Sequence, residues 1–209
     1  MDQTTVRGIV THVLKNLKSI VKIPIGISNH HLHLTEQDFQ KLFPGQSLTV
    51  KKALSQPGQF AANEMVTAIG PKGEISKMRI LGPLRTKSQV ELSATDARQM
   101  GIQAPIRLSG DIEGTPGILL KSPSGSLALE QGVIIAKRHI HMSDHEADLL
   151  GLKKGDSVTV NVASEGRKII FEDVIIRPGA NYTLEMHVDT DEANAGNINL
   201  KSMGRFYLH

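Results

Sequence analysis

One local pattern occurs twice in the chain, and this repetition restricts the possible folds more than any other feature. Residues 25–35 align with residues 133–143: in both, an apolar stretch leads into a His-x-His triplet followed by threonine or serine. A second match follows in the same order, between residues 94–97 and 189–193. Matches in the same order indicate a duplicated unit of roughly 80–100 residues, the usual size of one domain. The chain of 209 residues is therefore predicted to contain two related domains.

The segments between these matches have the character of β-strands. Short β-branched runs, such as residues 78–81 and 157–162, are separated by turns rich in glycine, proline and serine. Many short strands at this spacing favour barrels over a doubly wound α/β sheet. We therefore predict a mainly β fold of two related barrels, with ligands bound in a cleft between them. Short capping helices are predicted over residues 35–42, 94–100 and 143–150.

The first 20 residues are predicted to form an amphipathic helix. Apolar residues recur there at helical spacing on one face, and two interpretations stay open: the helix packs on its own domain or on another protein. The apolar runs fall short of the roughly 20 residues that span a bilayer, and the segment lacks the pattern of a secretory signal. The simplest expectation is a cytoplasmic protein without membrane contact. The apolar positions are Val6, Ile9, Val10, Val13, Leu14 and Leu17.

The absence of cysteine limits the chemistry that the chain can perform. It excludes a disulfide scaffold, an iron–sulfur cluster, a cysteine-ligated zinc site and a cysteine nucleophile. Nine histidines leave nitrogen and oxygen ligation of a metal open. A net charge of only +3 and the lack of tryptophan argue against nucleic-acid binding.

The two His-x-His triplets are candidate metal ligands. Residues i and i+2 of a β-strand point to the same face, so His31 and His33 can offer two imidazoles to one ion. The same holds for His139 and His141 in the second copy. Because two copies lie at equivalent positions of a repeat, metal binding is favoured over two pairs of unrelated histidines.

Each histidine pair needs a third protein ligand from another segment. Glu91 and His187 lie at roughly parallel positions, shortly before a shared Thr-Asp dipeptide. Alignment on that dipeptide places Glu91 opposite Met186, so the register is open by one residue, and Glu185 and Asp189 are further candidates. Three protein ligands leave one position for water or substrate, which is typical of catalytic zinc.

Two other polar residues lie close to these motifs. Arg85 precedes Glu91 in a loop, and a guanidinium can bind phosphate or carboxylate through two hydrogen bonds, although a solvated loop arginine is the commoner case. Ser28 precedes the first histidine pair, but no Ser-His-Asp arrangement is recognisable around it. The residue types alone leave both roles open.

Several segments resemble the phosphate propanoyltransferase family. The resemblance covers about residues 23–196, and its specificity comes from the combination of motifs, since each motif is short. The matching segments are residues 25–34, 54–62, 79–83, 89–91, 109–111, 138–142 and 185–194.

The resemblance implies two β-barrels capped by short helices, with a site for two divalent metal ions, usually zinc, between them. It places the family's essential arginine on Arg85 and its active-site serine on Ser28. The implied metal ligands are His31, His33 and Glu91 in the first repeat, and His139, His141 and His187 in the second.

The family's first strand completes the C-terminal barrel, which implies a discontinuous domain. The expected division is an N-terminal helix over 1–22, one barrel from 23–29 with 138–209, and a second barrel over 30–137. In this family an N-terminal amphipathic helix serves as an encapsulation signal for bacterial microcompartments, and residues 2–19 are similar to such a helix. Shell or core proteins are then implied partners, and the microcompartment lumen is an implied location.

One position departs from the family pattern. The family usually has arginine directly before the first histidine pair, whereas this chain has His30; the second repeat keeps Arg138. The departure leaves the role of position 30 open and does not touch the six implied ligands.

The resemblance implies reversible transfer of a short acyl group, propanoyl or acetyl, between coenzyme A and inorganic phosphate. Arg85 and a metal would hold phosphate beside the thioester carbonyl for direct attack. Two alternatives stay open: a metal-dependent hydrolase of a thioester or phosphorylated small molecule, and a non-catalytic, metal-stabilised binding module. Assembly into a homo-oligomer is also left open.

Overall fold

The computed structural model describes residues 2–208 and divides them into two compact units. One unit combines the segment up to Ile27 with the segment from Arg138 onward, and the other spans Ser28–Lys137. The outermost limits predicted for the domains, residues 1 and 209, lie outside the described residues. The prediction of a mainly β protein with two related, barrel-like domains is confirmed.

Six strands of the discontinuous unit close into a barrel. They are β1 (Ile23–Ser28), β11 (His139–Met142), β12 (Ser157–Val162), β13 (Ile169–Pro178), β14 (Glu185–Asp189) and β15 (Met203–Phe206). Their order around the barrel is β1, β14, β11, β13, β12, β15. Strand β1 closes the barrel by pairing with β15, with Ile23 opposite Gly204.

The continuous unit is built on a nine-stranded sheet that forms a half-barrel. Its strands are β2 (His31–His33), β3 (Val50–Ala53), β4 (Phe60–Ile69), β5 (Glu74–Gly82), β6 (Gln89–Leu92), β7 (Ile106–Arg107), β8 (Ile118–Lys121), β9 (Ser126–Leu129) and β10 (Val133–Ala136). The order is β7, β10, β6, β2, β5, β4, β8, β9, and β3 pairs with β4.

The two His-x-His strands occupy equivalent places in the two units, as expected for an internal duplication. Strand β2 runs parallel to β5 and antiparallel to β6, and β11 runs parallel to β13 and antiparallel to β14. The strand that precedes each His-x-His triplet belongs to the other unit: β1 lies beside β14, and β10 lies beside β6. This reciprocal exchange makes one unit discontinuous.

Five helices occur among the described residues, and a side chain caps the N-terminus of each. The four short ones follow β-strands and begin after Thr35, Ser93, Ser143 and Asp189. In the last three, an acidic side chain three residues after the cap accepts a hydrogen bond from the backbone N–H of the cap residue, which stabilises the first turn. The helices are α1 (Gln3–Ile20), α2 (Glu36–Leu42), α3 (Ala94–Met100), α4 (Asp144–Leu149) and α5 (Thr190–Ala195).

Each unit has its own hydrophobic core, and the middle residue of each His-x-His triplet is part of it. Leu32 and Ile140 are both fully buried in these cores. Because side chains alternate along a strand, the flanking histidines point to the opposite face. Packing of the middle residue in the core therefore fixes the orientation of the two flanking histidines.

Helix α1 leaves most of its apolar face exposed. Val6, Ile9, Val10 and Val13 are each between 45% and 51% exposed. The helix nevertheless touches its own unit, since Leu14 lies against Gly151 and Arg205 donates to the carbonyl of Ser19 at 3.3 Å. Among the described residues, no helix combines the length and the hydropathy needed to cross a membrane.

Candidate metal centres and active site

His31, His33 and Glu91 form a buried group that we call the first triad. Strand β6 places Glu91 directly opposite His31 on β2, and Oε2 of Glu91 lies 3.4 Å from Nε2 of His31. One ligand atom from each of the three residues lies within 4.8 Å of the others. A tetrahedral zinc ion with bonds of about 2.0–2.1 Å needs ligand atoms roughly 3.3 Å apart, so the first triad fits such an ion.

Backbone carbonyls hold both histidines of the first triad in the orientation a metal requires. Nδ1 of His31 bonds the Asn29 carbonyl at 2.8 Å, and Nδ1 of His33 bonds the Leu81 carbonyl at 3.2 Å. A carbonyl can only accept, so Nδ1 carries the proton and Nε2 keeps its lone pair. Burial, followed by the charges of His31 and Arg85, holds the pKa of His33 well below its usual range. His33 is therefore neutral at pH 7, which is the form that binds metals.

His139, His141 and His187 form the second triad, at the equivalent strands of the barrel. The Nε2 atoms of His139 and His141 lie 3.1 Å apart, and His187 lies opposite His139 on β14. Nε2 of His187 is also 2.7 Å from Oε2 of Glu185. Three clustered imidazoles with a carboxylate beside one of them fit a divalent ion.

His141 is kept uncharged by its surroundings. Burial first, and then the charges of His187 and Arg177, lower its pKa to about 3. Its Nδ1 is buried without a hydrogen-bond partner, and its Nε2 faces Nε2 of His139.

The structure settles the register that the sequence left open. Glu91 pairs with His31 as His187 pairs with His139, so these two residues are equivalent and the alignment of Glu91 with Met186 is wrong. The reason lies in the helix caps. Each third ligand stands two residues before an N-cap, Ser93 or Asp189, and the shared Thr-Asp dipeptide falls one position earlier in α5 than in α3.

A chain of hydrogen bonds links Arg85 to the first triad. Its backbone N–H donates to the Leu34 carbonyl at 2.7 Å, and its Nη1 donates to Oγ of Ser109 at 3.1 Å. The Ser109 hydroxyl also accepts from Nε2 of Gln89 at 2.9 Å, and the same amide group donates to Oε1 of Glu91 at 2.6 Å. The half-buried guanidinium is thus held near the metal ligands and is not a freely solvated loop arginine.

Ser28 ends β1 and is half-buried. It stands where the chain passes from the discontinuous unit into the continuous one. The contacts described for residues 2–208 do not join its hydroxyl to either triad.

Sequence reasoning missed Gly26, which makes room for the second triad. A Cβ atom at Gly26 would lie 2.9 Å from Cδ2 of His187, closer than real Cβ atoms approach other atoms, and 3.1 Å from Cδ of Glu185, which is also an unusually tight contact. The signal was a lone glycine inside an apolar strand, which often marks a close approach. Sequence reasoning also missed Tyr182, whose ring centroid lies 4.2 Å from that of His141.

The residues directly before the histidine pairs also have equivalent contacts. Nδ1 of His30 lies 3.2 Å from Oδ2 of Asp96, and Nη1 of Arg138 lies 2.9 Å from Oε1 of Glu192. Asp96 and Glu192 are the acidic residues of the two capping boxes, in α3 and α5. His30 therefore takes the place that Arg138 occupies in the other unit and keeps the contact with the acidic side chain of the following capping box.

Two equivalent groups of side chains that could hold metal ions lie on duplicated β-units, and an arginine lies beside one of them. These features are those of a candidate metal-binding enzyme, and comparison with known proteins identifies its family. A sequence model of the phosphate propanoyltransferase family matches residues 24–199.

Individual relatives give the same result. The phosphate propanoyltransferase of Levilactobacillus brevis is 50% identical over 205 residues, which is 98% of this chain and 98% of the relative. Those of Escherichia fergusonii and Salmonella typhimurium are 52% and 51% identical over 195 residues, in each case 93% of this chain and 92% of the relative. The chain belongs to the phosphate propanoyltransferase family, as the sequence motifs predicted.

Proposed function

We propose that this protein transfers a short acyl group, propanoyl or acetyl, reversibly between coenzyme A and inorganic phosphate. The observation that carries the proposal is the hydrogen-bonded link from Arg85 through Ser109 and Gln89 to the metal ligand Glu91. This link fixes a guanidinium next to a buried group of candidate metal ligands, an arrangement suited to hold phosphate. Membership of the family supports acyl transfer as the reaction.

We assign phosphate binding to Arg85. A phosphate oxygen attacks the carbonyl carbon of the thioester, the C–O bond forms, the C–S bond breaks and coenzyme A leaves as a thiolate. Divalent ions, with zinc as the best candidate, would stabilise the developing oxyanion and the departing thiolate when bound. Ser28 is proposed as a polar contact to the substrate, and no covalent intermediate on the chain is needed.

We propose two metal ions, one held by each triad. The clustering of the three imidazoles in the second triad, with Nε2 of His139 and of His141 3.1 Å apart, and the carbonyl-bound Nδ1 atoms in the first support this count. Purified wild-type protein is expected to hold two equivalents of zinc by elemental analysis. Glu91→Ala and His139→Ala should each lose about one equivalent, whereas His145→Ala, at an exposed position of α4, should lose none.

A thiol-release assay tests the reaction. With propanoyl- or acetyl-coenzyme A as substrate, free thiol should appear only when inorganic phosphate is added. Release that is independent of phosphate would contradict the proposal and favour the metal-dependent hydrolase. Initial-rate plots against both substrates should show sequential kinetics, and ping-pong kinetics would contradict direct attack by phosphate.

We further propose that α1 docks on a shell or core protein of a bacterial microcompartment and brings the enzyme into its lumen. Its four half-exposed valine and isoleucine residues form an apolar stripe that consists of Val6, Ile9, Val10 and Val13. Fusion of residues 2–20 to a fluorescent protein should direct the reporter into microcompartments, and fusion of a Val10→Asp, Val13→Asp version should not.

A further inference from the structure

We propose that Gln89 is a positioning residue that orients the metal ligand Glu91 and couples it to Arg85. The coupling to Arg85 rests on the proposed function, since Arg85 is there assigned to phosphate. Gln89 is 2% exposed and lies two residues before Glu91 on β6, so both side chains point to the same face. Its amide touches a metal ligand, a hydroxyl and a backbone N–H at once.

The contacts of Gln89 fix which way its amide points. The backbone N–H of Gly110 lies 2.7 Å from Oε1 of Gln89, and because an N–H can only donate, that atom must be the oxygen. Nε2 therefore faces the other two partners and donates to Oε1 of Glu91 at 2.6 Å and to Oγ of Ser109 at 2.9 Å. One amide group uses its acceptor and both donors.

This arrangement orients the carboxylate of Glu91. The hydrogen bond from Gln89 engages Oε1, while Oε2 faces His31 Nε2 at 3.4 Å and forms part of the metal site. Partners of this kind, outside the ligand set, typically change metal affinity by about 10–100-fold. Ser109 then extends the link to Nη1 of Arg85, so a displaced Gln89 disturbs both the metal site and the guanidinium.

The second repeat supports a positioning role by using a chemically matched residue at the same place. Gln89 stands opposite His33, and Glu185 stands opposite His141, so the two positions are equivalent. In the first repeat, the amide of Gln89 donates a hydrogen bond to the carboxylate of Glu91. In the second, the carboxylate of Glu185 lies 2.7 Å from the imidazole of His187 and accepts a hydrogen bond from it. A glutamate at position 89 would place two carboxylates 2.6 Å apart and remove both donors.

Metal affinity of the apoprotein tests the first half of the proposal without any catalytic assay. Zinc or cobalt is titrated into wild-type, Gln89→Ala and Gln89→Glu apoprotein in competition with a chromophoric chelator. One of the two sites should weaken by about 10–100-fold in Gln89→Ala and remain unchanged in Gln103→Ala, an exposed position of the same unit. Gln89→Glu should also weaken that site. Unchanged affinity in Gln89→Ala would overturn the proposal.

The coupling to Arg85 is tested by the KM for phosphate. Ser109→Ala breaks the link on the Arg85 side and keeps the contact between Gln89 and Glu91. It should raise the KM for phosphate roughly tenfold while metal affinity stays at the wild-type value. Gln89→Ala should change both quantities. An unchanged KM for phosphate in Ser109→Ala would overturn the coupling.

Two further results separate failure of this proposal from a folding defect and from failure of the proposed function. If Gln89→Ala does not fold, as judged by its thermal unfolding, Gln89→Met retains the side-chain volume and loses the amide, and it takes the place of Gln89→Ala in both measurements. If wild-type protein shows no phosphate-dependent thiol release but Gln89 variants still lose metal affinity, the proposed function fails and the orienting role of Gln89 stands.

Discussion

The two triads differ by one residue, but a neighbouring side chain makes their charge similar. The first combines two imidazoles with the Glu91 carboxylate, whereas the second has three imidazoles, with the Glu185 carboxylate beside His187. Each site therefore has one carboxylate, within the triad in the first and next to it in the second. With a divalent ion, both sites keep a net positive charge, which suits the binding of phosphate and of a thiolate.

At the residue scale, Arg85→Ala is expected to raise the KM for phosphate by roughly tenfold or more, because the guanidinium supplies charge-assisted hydrogen bonds. Arg85→Lys should recover only part of the loss, since an ammonium lacks the planar fork of donors. Metal content should not change. Steady-state kinetics and elemental analysis check these outcomes, with exposed Arg98→Ala on α3 as the matched control. Wild-type kinetics in Arg85→Ala would contradict the assignment.

Gly26→Ala is expected to weaken metal binding at the second triad. The added methyl group would meet the ring of His187 and the carboxylate of Glu185, so one of them must move. Zinc content should fall by up to one equivalent, measured by elemental analysis. Gly8→Ala in α1 adds the same methyl group where no atom lies within 4 Å and serves as the control. Full zinc content in Gly26→Ala would show that the strand tolerates the side chain.

At the scale of elements, a polar side-chain contact joins the residue before each His-x-His triplet to the helix that follows Glu91 or His187. Arg138 reaches Glu192 in α5, and His30 reaches Asp96 in α3. Arg138 also donates through Nε to the Glu172 carbonyl at 2.8 Å and lies over the ring of Phe171. Burial raises the pKa of Glu192, and the charge of Arg138 acts against this rise. The pair thus connects the beginning of β11 to the helix after β14.

Removal of this connection should destabilise the barrel. Arg138→Met is expected to lower the free energy of unfolding by about 1–3 kcal/mol, because hydrogen bonds to charged groups are lost and Glu192 stays partly buried. His30→Arg should retain the pairing with Asp96 and leave the free energy of unfolding within about 0.5 kcal/mol. Urea unfolding followed by circular dichroism measures both. Equal stability of Arg138→Met and wild type would rule out a structural role for the pair.

At the scale of the whole molecule, α1 belongs to the discontinuous unit but contributes no residue to either triad. Most of its residues are exposed, and it touches its own unit through Leu14 and the Ser19 carbonyl. All β-strands, including those that carry the triad residues, lie after α1 in the chain, beginning with β1. No residue of either triad lies in α1, which is consistent with the docking role proposed for this helix.

Deletion of residues 2–20 tests this separation. The kcat/KM for acyl-coenzyme A and phosphate should stay within about twofold of the wild-type value, and zinc content should remain unchanged, because every triad residue lies outside the deleted segment. Steady-state kinetics and elemental analysis are the measurements, and Val10→Asp in the full chain is the matched control. A loss of activity in the deletion and not in Val10→Asp would assign α1 a structural role.

Much of the fold and of the candidate site could be predicted from the sequence, because the patterns that specify them are local and occur twice in the chain. The His-x-His spacing, the alternation that buries Leu32 and Ile140, and the caps Thr35 and Ser143 act within a few residues of chain. Because each pattern occurs in both repeats, each copy supports the interpretation of the other. Family motifs added Arg85 and the six ligands, which composition and spacing alone left among alternatives.

What only the tertiary structure decided depends on contacts between distant segments. The equivalence of Glu91 and His187 follows from strand register, which the one-residue shift of the Thr-Asp dipeptide concealed. The link from Gln89 to Ser109 spans 20 residues, and the pair of His30 and Asp96 spans 66. Sequence fixes which side chains are available, but β-sheet pairing selects which of them meet, because hydrogen-bonded register joins residues without regard to their separation in the chain.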